Sequence, residues 1–307
     1  MGTTLRESRA LLAEGALLLT AAIWGLAFVA QRRGMDHMGP FLFNGLRFAL
    51  GCLPLIPFLL RRENGVNPPT EPMGLRGIFL GLVLFVAASL QQVGILYTTV
   101  GKAGFITGLY VVLVPLLGLF VGSRDNRRAM TGVLLAAAGL YLLTLHGKTT
   151  ATIDDPRSLA NMGDVLMLVC AVFWAVHILA VGRWAPRIPW APLAATQFAT
   201  CSVASLAVAA AAEPIDLAAI LAGALPVLYA GILSVGLGYT IQVVAQRQAP
   251  PTPAAIIMSL ETVFAVVGGW WLLSETLGGA ELAGCALMLV AMVLASLRKT
   301  EPGAPTP

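Results

Sequence analysis

Residues 163–181 read GDVLMLVCAVFWAVHILAV. One acidic residue, Asp164, stands near the start, and the next formal charge is Arg183. A hydrocarbon core about 30 Å thick is crossed by roughly 20 apolar residues in a helix, so the stretch predicts a transmembrane span. Its apolar residues run on continuously, without the alternation that a strand of a membrane barrel requires. Read outward in both directions, the chain yields ten such spans: Ala10 to Gln31, Met38 to Leu60, Gly74 to Tyr97, Ala103 to Gly122, Met130 to Leu145, Gly163 to Val181, Pro192 to Ala212, Leu217 to Ala245, Pro253 to Leu273 and Ala280 to Leu297. Between them lie charge clusters and helix breakers: Arg32-Arg33-Gly34, Arg61 to Pro72, Arg124 to Arg128, and Pro250-Pro251-Thr252-Pro253.

Composition agrees. Of 307 residues, 58% are hydrophobic and 11% charged, a balance that one soluble core of this size could not hide. Ten short-looped spans leave no room for a soluble domain beside them. The net charge of +4 comes from Lys and Arg scattered through the loops, not gathered on one face, which argues against nucleic acid as a partner. Cys52, Cys170, Cys201 and Cys285 stand singly in apolar stretches and read as packed free thiols, with no disulfide or metal cluster implied. Arg6 and Arg9 precede an apolar run as in a signal peptide, but the run is about twenty residues long without a clear cleavage site, and reads as a retained first helix.

Cytoplasmic loops hold an excess of Lys and Arg. One side carries Arg6, Arg9, Arg61, Arg62, Arg76, Arg124, Arg127, Arg128, Arg183, Arg187, Arg247, Arg298 and Lys299, the other only Arg32, Arg33, Lys102, Lys148 and Arg157. Both termini are therefore expected in the cytoplasm, and the separation of the two sets supports an even number of spans. The halves also match at an offset of about 150 residues: Trp24 with Trp174, Phe48-Ala49 with Phe198-Ala199, Arg47 with Gln197, and Gln92 with Gln242. With five spans per half, the second copy enters the membrane from the opposite side, as in the inverted repeats of carriers. The expected fold class is an all-α polytopic membrane protein with ten transmembrane helices as two inverted five-helix repeats. The repeats cover residues 10–146 and 163–298, joined by an external linker over residues 147–162, which is polar and lacks an apolar period.

Gly163-Asp164 opening a span that continues to Phe173-Trp174-Ala175, and Ala22-Ile23-Trp24-Gly25 in the first half, resemble the start of an EamA-like domain, the five-helix repeat of the drug/metabolite transporter superfamily. Ser259-Leu260-Glu261-Thr262-Val263-Phe264, followed by Leu273-Ser274-Glu275-Thr276 and Gly284, is similar to the pattern near that family's C-terminal end, with Thr262 where proline is usual and Pro115 keeping the proline in the fourth span. The resemblance implies a ten-helix carrier of a bacterial inner (plasma) membrane. Such a carrier would have a central cavity between its halves, work by alternating access and export metabolites. Bacterial exporters of aromatic amino acids belong to this group, so aromatic or branched amino acids are the expected substrates, with drugs, nucleobases or other metabolites as the alternative.

Arg47 is the most informative single residue, since an arginine inside a span costs roughly 2.5–3.5 kcal/mol unless paired or wetted. It can face the cavity and receive a substrate carboxylate, pair with backbone carbonyls or Glu261, or snorkel to the headgroups. Glu261, near the middle of span nine, is a candidate for proton coupling or a carboxyl group that fixes helix packing. His177 could relay protons or be hydrogen-bonded within the bundle. Glu275 reads as an anchor at the end of its span. Tyr97, Trp270 and Trp271 sit near span ends, where aromatic belts are expected. The deeper Trp24, Tyr110, Trp174 and Tyr239 can wall a cavity or simply pack.

The amides Asn44, Gln91, Gln92, Gln197 and Gln242 can bond substrate, water or a neighbouring helix. Gly77 with Gly81, and Gly104 with Gly108, are spaced for close helix contact. The candidate substrate-binding set is thus Trp24, Asn44, Arg47, Gln91, Gln92, Tyr110, Trp174, His177, Gln197, Tyr239 and Gln242, with Glu261 and His177 as candidates for proton coupling. No metal or cofactor is expected, and no phosphate-binding glycine loop points to ATP hydrolysis. A membrane-embedded enzyme would need convergent acids or histidines beyond Glu261 and His177. A channel would need a continuous polar lining. The expected partners are a small-molecule substrate and membrane lipids; a monomer is compatible with the sequence.

Overall fold

In a computed structural model, residues 2–60, 73–97, 100–120, 127–145, 162–273 and 279–296 are described. Glu275 and most of the linker over residues 147–162 lie outside them. The described residues are almost entirely helical and include no strand. Eight segments are long and apolar enough to cross a membrane: Leu11–Gly34, Pro40–Leu60, Met73–Gly94, Ala103–Phe120, Met162–Trp184, Trp190–Ala212, Ala224–Ala245 and Pro251–Leu272. Helices Arg127–Leu145 and Gly279–Ser296 stand in the places of the expected fifth and tenth spans, with shorter apolar cores at Met130–Gly139 and Leu282–Ala291.

Contacts between spans repeat under an exchange of the two halves. Spans two and seven pack on one another, as do five and ten. Span one packs on spans eight and nine, and span six, its counterpart, packs on spans three and four. Spans three and seven, and their counterparts eight and two, also meet. Under that exchange the contacts of two with seven and of five with ten map onto themselves and the others onto one another, as a twofold relation between the repeats requires.

Close approach depends on small residues, the usual means of helix association in lipid. A Cβ on Gly77 would come within 2.7 Å of the Thr196 side chain, and one on Gly81 within 2.5 Å of Thr200, so the expected pair lets span three lie against span seven. Gly104 is different: the nearest atom to a Cβ there is Ala265 Cβ at 3.8 Å, an ordinary contact.

Three departures from regular helix shape the centre. Span four is interrupted at Leu109, between Val100–Gly108 and Tyr110–Phe120. Span nine is interrupted at Ser259 and Leu260, between Pro251–Met258 and Glu261–Leu273. Leu109 and Ser259 differ by the repeat offset of 150 residues. At Ser259 the hydroxyl donates to the Ile256 carbonyl at 2.8 Å, a local bond that competes with the helix ladder. The eighth span contains a π-helical stretch over Tyr229–Tyr239, whereas its counterpart, span three, is a regular α-helix.

That eighth span also begins later than the sequence suggests. Leu217–Ala222 forms a separate short helix, with Asp216 accepting from the Ala218 N–H at 3.0 Å. The chain then breaks at Gly223, whose Cβ would lie 2.7 Å from Met38 Cε.

Candidate functional site

The interrupted and widened helices converge on one central cavity. Span one supplies Trp24, Ala27, Phe28 and Gln31; span two, Arg47; span three, Gln91; and span four, Thr107 and Tyr110 around its break. From the second half come Trp174 and Ile178 of span six, Ser234, Tyr239 and Gln242 of span eight, and Glu261, the first residue after the break in span nine. The room left between them is about 30 Å³, space for about two water molecules. The cavity is therefore narrow in this conformation.

Aromatic rings form one wall. Tyr239 lies between the two matched tryptophans: Trp24 at 4.6 Å, and Trp174 stacked at 5.8 Å and 20°. Trp24 is held by its indole N–H, which donates to the Ser234 carbonyl at 3.1 Å. A Cβ on Gly238 would stand 2.6 Å from that indole nitrogen, so the ring reaches its place only because position 238 is glycine.

Arg47 is 1% exposed. Its guanidinium carbon lies 5.1 Å from the Phe48 ring centroid and 5.7 Å from that of Phe43. Such cation–π contacts offset part of the cost of burying a charge. Nε and Nη2 have no hydrogen-bond partner among the described residues. Gln31 Oε1 and Gln242 Oε1 are likewise unpartnered acceptors, and the Tyr110 hydroxyl faces the Glu261 carboxyl group. Buried polar groups without partners cost roughly 1–3 kcal/mol each, more when charged. Their collection on one small cavity gives it the means to hold a solute that carries both acceptors and donors.

Of the residues singled out from sequence, Trp24, Arg47, Gln91, Tyr110, Trp174, Tyr239, Gln242 and Glu261 line this cavity. Asn44, Gln92, His177 and Gln197 do not. His177 Nε2 pairs with Gln197 Oε1 at 2.8 Å, a bond between spans six and seven. Gln92 Nε2 donates to the Gln31 carbonyl at 3.2 Å, tying span three to span one. In the second half Gln242 Nε2 donates to Gln246 Oε1 at 3.0 Å, and Gln246 Nε2 donates to the Ile178 carbonyl at 3.0 Å, tying span eight to span six. In the first repeat Gln92 makes the tie itself, whereas in the second Gln246 makes it with Gln242 bonded to it, and of the two matched glutamines only Gln242 reaches the cavity. Asn44 is fully buried with both side-chain polar atoms unpartnered. Among the described residues no three of His, Cys, Asp and Glu converge as a metal site would require.

The EamA-like transporter family matches residues 11–145 and 161–297. The chain belongs to the EamA-like transporter family. A transporter of Archaeoglobus fulgidus is 32% identical over 293 residues, covering 94% of this chain and 87% of the relative. A protein of Salmonella typhimurium named a probable amino-acid metabolite efflux pump is 26% identical, covering 90% and 92%. An inner membrane transporter of Escherichia coli strain K12 is 25% identical, covering 93% and 90%. A solved crystal structure shares the fold with a TM-score of 0.73 at 22% identity, over 94% of this chain and 96% of that one. This EamA-like chain is a multi-pass membrane transporter with the family's repeat present twice.

Sequence reasoning missed Gln31, Thr107 and Ser234 in the transporter's cavity. Gln31 ends a predicted span and carried no signal of depth. Thr107 is one of many small hydroxyl residues. Ser234 holds Trp24 through its backbone carbonyl, and the π-helix that presents it has no proline or charge to announce it.

Proposed function

We propose that this transporter exports amino acids, aromatic or branched, by alternating access through the cavity between its two halves. The observation that carries the reading is Arg47, buried at the cavity wall with two guanidinium nitrogens unpartnered. A substrate carboxylate is the natural complement of a guanidinium fork. Glu261, on the other half, offers an acceptor for a substrate ammonium, and the Trp24–Tyr239–Trp174 stack offers flat apolar surface for a side chain. A zwitterion with an apolar side chain satisfies all three. The Salmonella relative's name, an amino-acid metabolite efflux pump, supports the same substrate class.

Export requires orientation. The Lys and Arg bias puts both termini in the cytoplasm of a bacterial inner membrane, with residues 147–162 as an external linker between repeats at 10–146 and 163–298. Glu261, which lines the cavity, is the proposed proton-coupling residue in preference to His177, whose Nε2 pairs with Gln197 and which is not part of the lining.

The test is counterflow. Purified protein in liposomes preloaded with unlabelled phenylalanine or leucine should accumulate the radiolabelled amino acid in a saturable manner, and Arg47→Ala should abolish the exchange. Exchange of nucleobases or cationic drugs with no amino acid flux would replace the proposed substrate class.

A further inference from the structure

A second opening lies on the outer surface of the bundle, away from the central cavity. It is a groove of about 710 Å³ between spans three, four and six and the start of span nine. Its walls are apolar, with Phe79, Leu117 and Leu179 along its length and the ring of Phe120, 88% exposed, beside it. At its mouth stand Arg183 and Arg187, both exposed, where span six ends. The Arg187 guanidinium donates to the Arg183 backbone carbonyl, which holds the Arg187 side chain against the last turn of span six. Among the described residues that line the groove, none is acidic.

Trp184 stiffens this corner: it meets Phe79 edge to face at 5.5 Å and lies 6.0 Å beneath the Arg76 guanidinium. An apolar trough running along membrane-crossing helices and ending in paired guanidiniums at the headgroup level has the chemistry of a lipid seat. Basic pockets between spans recognise anionic headgroups in this way.

We propose that the groove binds one anionic phospholipid, its phosphate against Arg183 and Arg187 and an acyl chain along Phe79, Leu117 and Leu179. The seat adjoins the wall of the transport cavity. Gly182, which lines the groove, is packed so closely that a Cβ there would meet Pro251 Cγ at 2.7 Å and Gln246 Nε2 at 3.4 Å. Gln246 in turn bonds the carbonyl of Ile178, a cavity residue one turn away on the same helix. A lipid in the groove braces the end of span six against the start of span nine, next to the helix that carries the cavity residue Ile178.

The experiment measures retained lipid by native mass spectrometry on the full chain in mild detergent, offered phosphatidylglycerol and phosphatidylcholine with the same acyl chains. The wild type should retain one phosphatidylglycerol in preference to phosphatidylcholine. Two basic groups beside an anionic surface correspond to about 30-fold in affinity, so Arg183→Gln with Arg187→Gln should lower the preference by about that factor, and each single change by about fivefold.

Ala180→Trp, filling the apolar trough with both arginines intact, should release the lipid. Arg247→Gln, an exposed basic residue at the end of span eight outside the groove, should leave the preference unchanged. Equal retention of the two lipids by the wild type overturns the proposal, as does an equal loss with Arg247→Gln, which would mean diffuse surface charge. Where Ala180→Trp does not elute as a monodisperse protein, the single arginine variants decide.

Discussion

The indole ring of Trp24 and the phenol ring of Tyr239 stand 4.6 Å apart across the boundary between the two repeats, tilted by 47°. Trp174, the repeat counterpart of Trp24, stacks on the same tyrosine from its own half at 5.8 Å. One ring from span eight is thus held by the equivalent tryptophan of each repeat. Aromatic pairs contribute about 0.5–1.5 kcal/mol beyond burial. If the stack also receives the substrate side chain, Tyr239→Ala should raise the half-saturating concentration of an aromatic amino acid about tenfold and that of alanine much less. Concentration dependence of counterflow measures both. An equal change for the two substrates would make the stack a packing element only.

Gly25 lies where span one crosses the break in span nine. A Cβ there would fall 2.5 Å from the Glu261 carbonyl oxygen and 2.8 Å from the Ala265 nitrogen, both backbone atoms that cannot rotate away. Gly25→Ala should therefore displace the segment carrying Glu261 and cost about 1–3 kcal/mol, the range for overpacking. Gly15, in the same helix, has nothing within 4 Å of its would-be Cβ, and Gly15→Ala should hold or raise stability through helix propensity. Thermal unfolding in detergent distinguishes the pair; equal melting temperatures for both variants would refute the packing argument.

The spans were legible because a bilayer imposes a length and excludes charge, and both constraints are visible one residue at a time. The depth of Trp24, Arg47, Tyr110, Trp174 and Glu261 was legible for the same reason. What depth does not give is direction around the helix. A helix in lipid is apolar on its outer face as well, so the polar stripe that marks the inner face of a soluble helix is faint. Gln91 and Gln92 are neighbours in sequence, yet Gln91 faces the cavity and Gln92 bonds the Gln31 carbonyl. His177 and Gln197 each read as a lone polar group and turn out to satisfy one another. The breaks at Leu109 and Ser259 were illegible because no proline stands at either; Pro115 lies inside the helix that follows the first.

Glu213 closes span seven onto span two. Its Oε1 accepts from the Phe41 N–H at 2.9 Å and its Oε2 from the Leu42 N–H at 2.7 Å, so one carboxylate caps a helix N-terminus in the other half of the chain. The cap combines charged hydrogen bonds with the favourable end of the helix dipole. Glu213→Ala should lower stability by about 1–2 kcal/mol, the upper part of the range for cap deletions, and Glu213→Gln, which keeps one acceptor, by less. Unfolding monitored by tryptophan fluorescence checks the order. A glutamine variant as unstable as the alanine variant would mean that the charge alone carries the cap.

Arg47 offers the sharpest separation of substrate binding from structure. A buried cation that anchors the bundle through specific partners would leave those partners stranded when removed, and stability would fall by about 3–5 kcal/mol. Here Nε and Nη2 have no hydrogen-bond partner to strand among the described residues, and the Phe48 and Phe43 rings lie 5.1 and 5.7 Å from the guanidinium carbon. Replacing an unpaired buried charge with an apolar side chain of similar length removes a desolvation cost. Arg47→Met should therefore keep or raise the melting temperature while reducing amino acid counterflow at least tenfold. Arg47→Lys, which keeps the charge but loses the planar fork, should retain part of the flux at a higher half-saturating concentration. A methionine variant that melts several degrees lower and still transports would show that the guanidinium holds the helices together and that the carboxylate is received elsewhere.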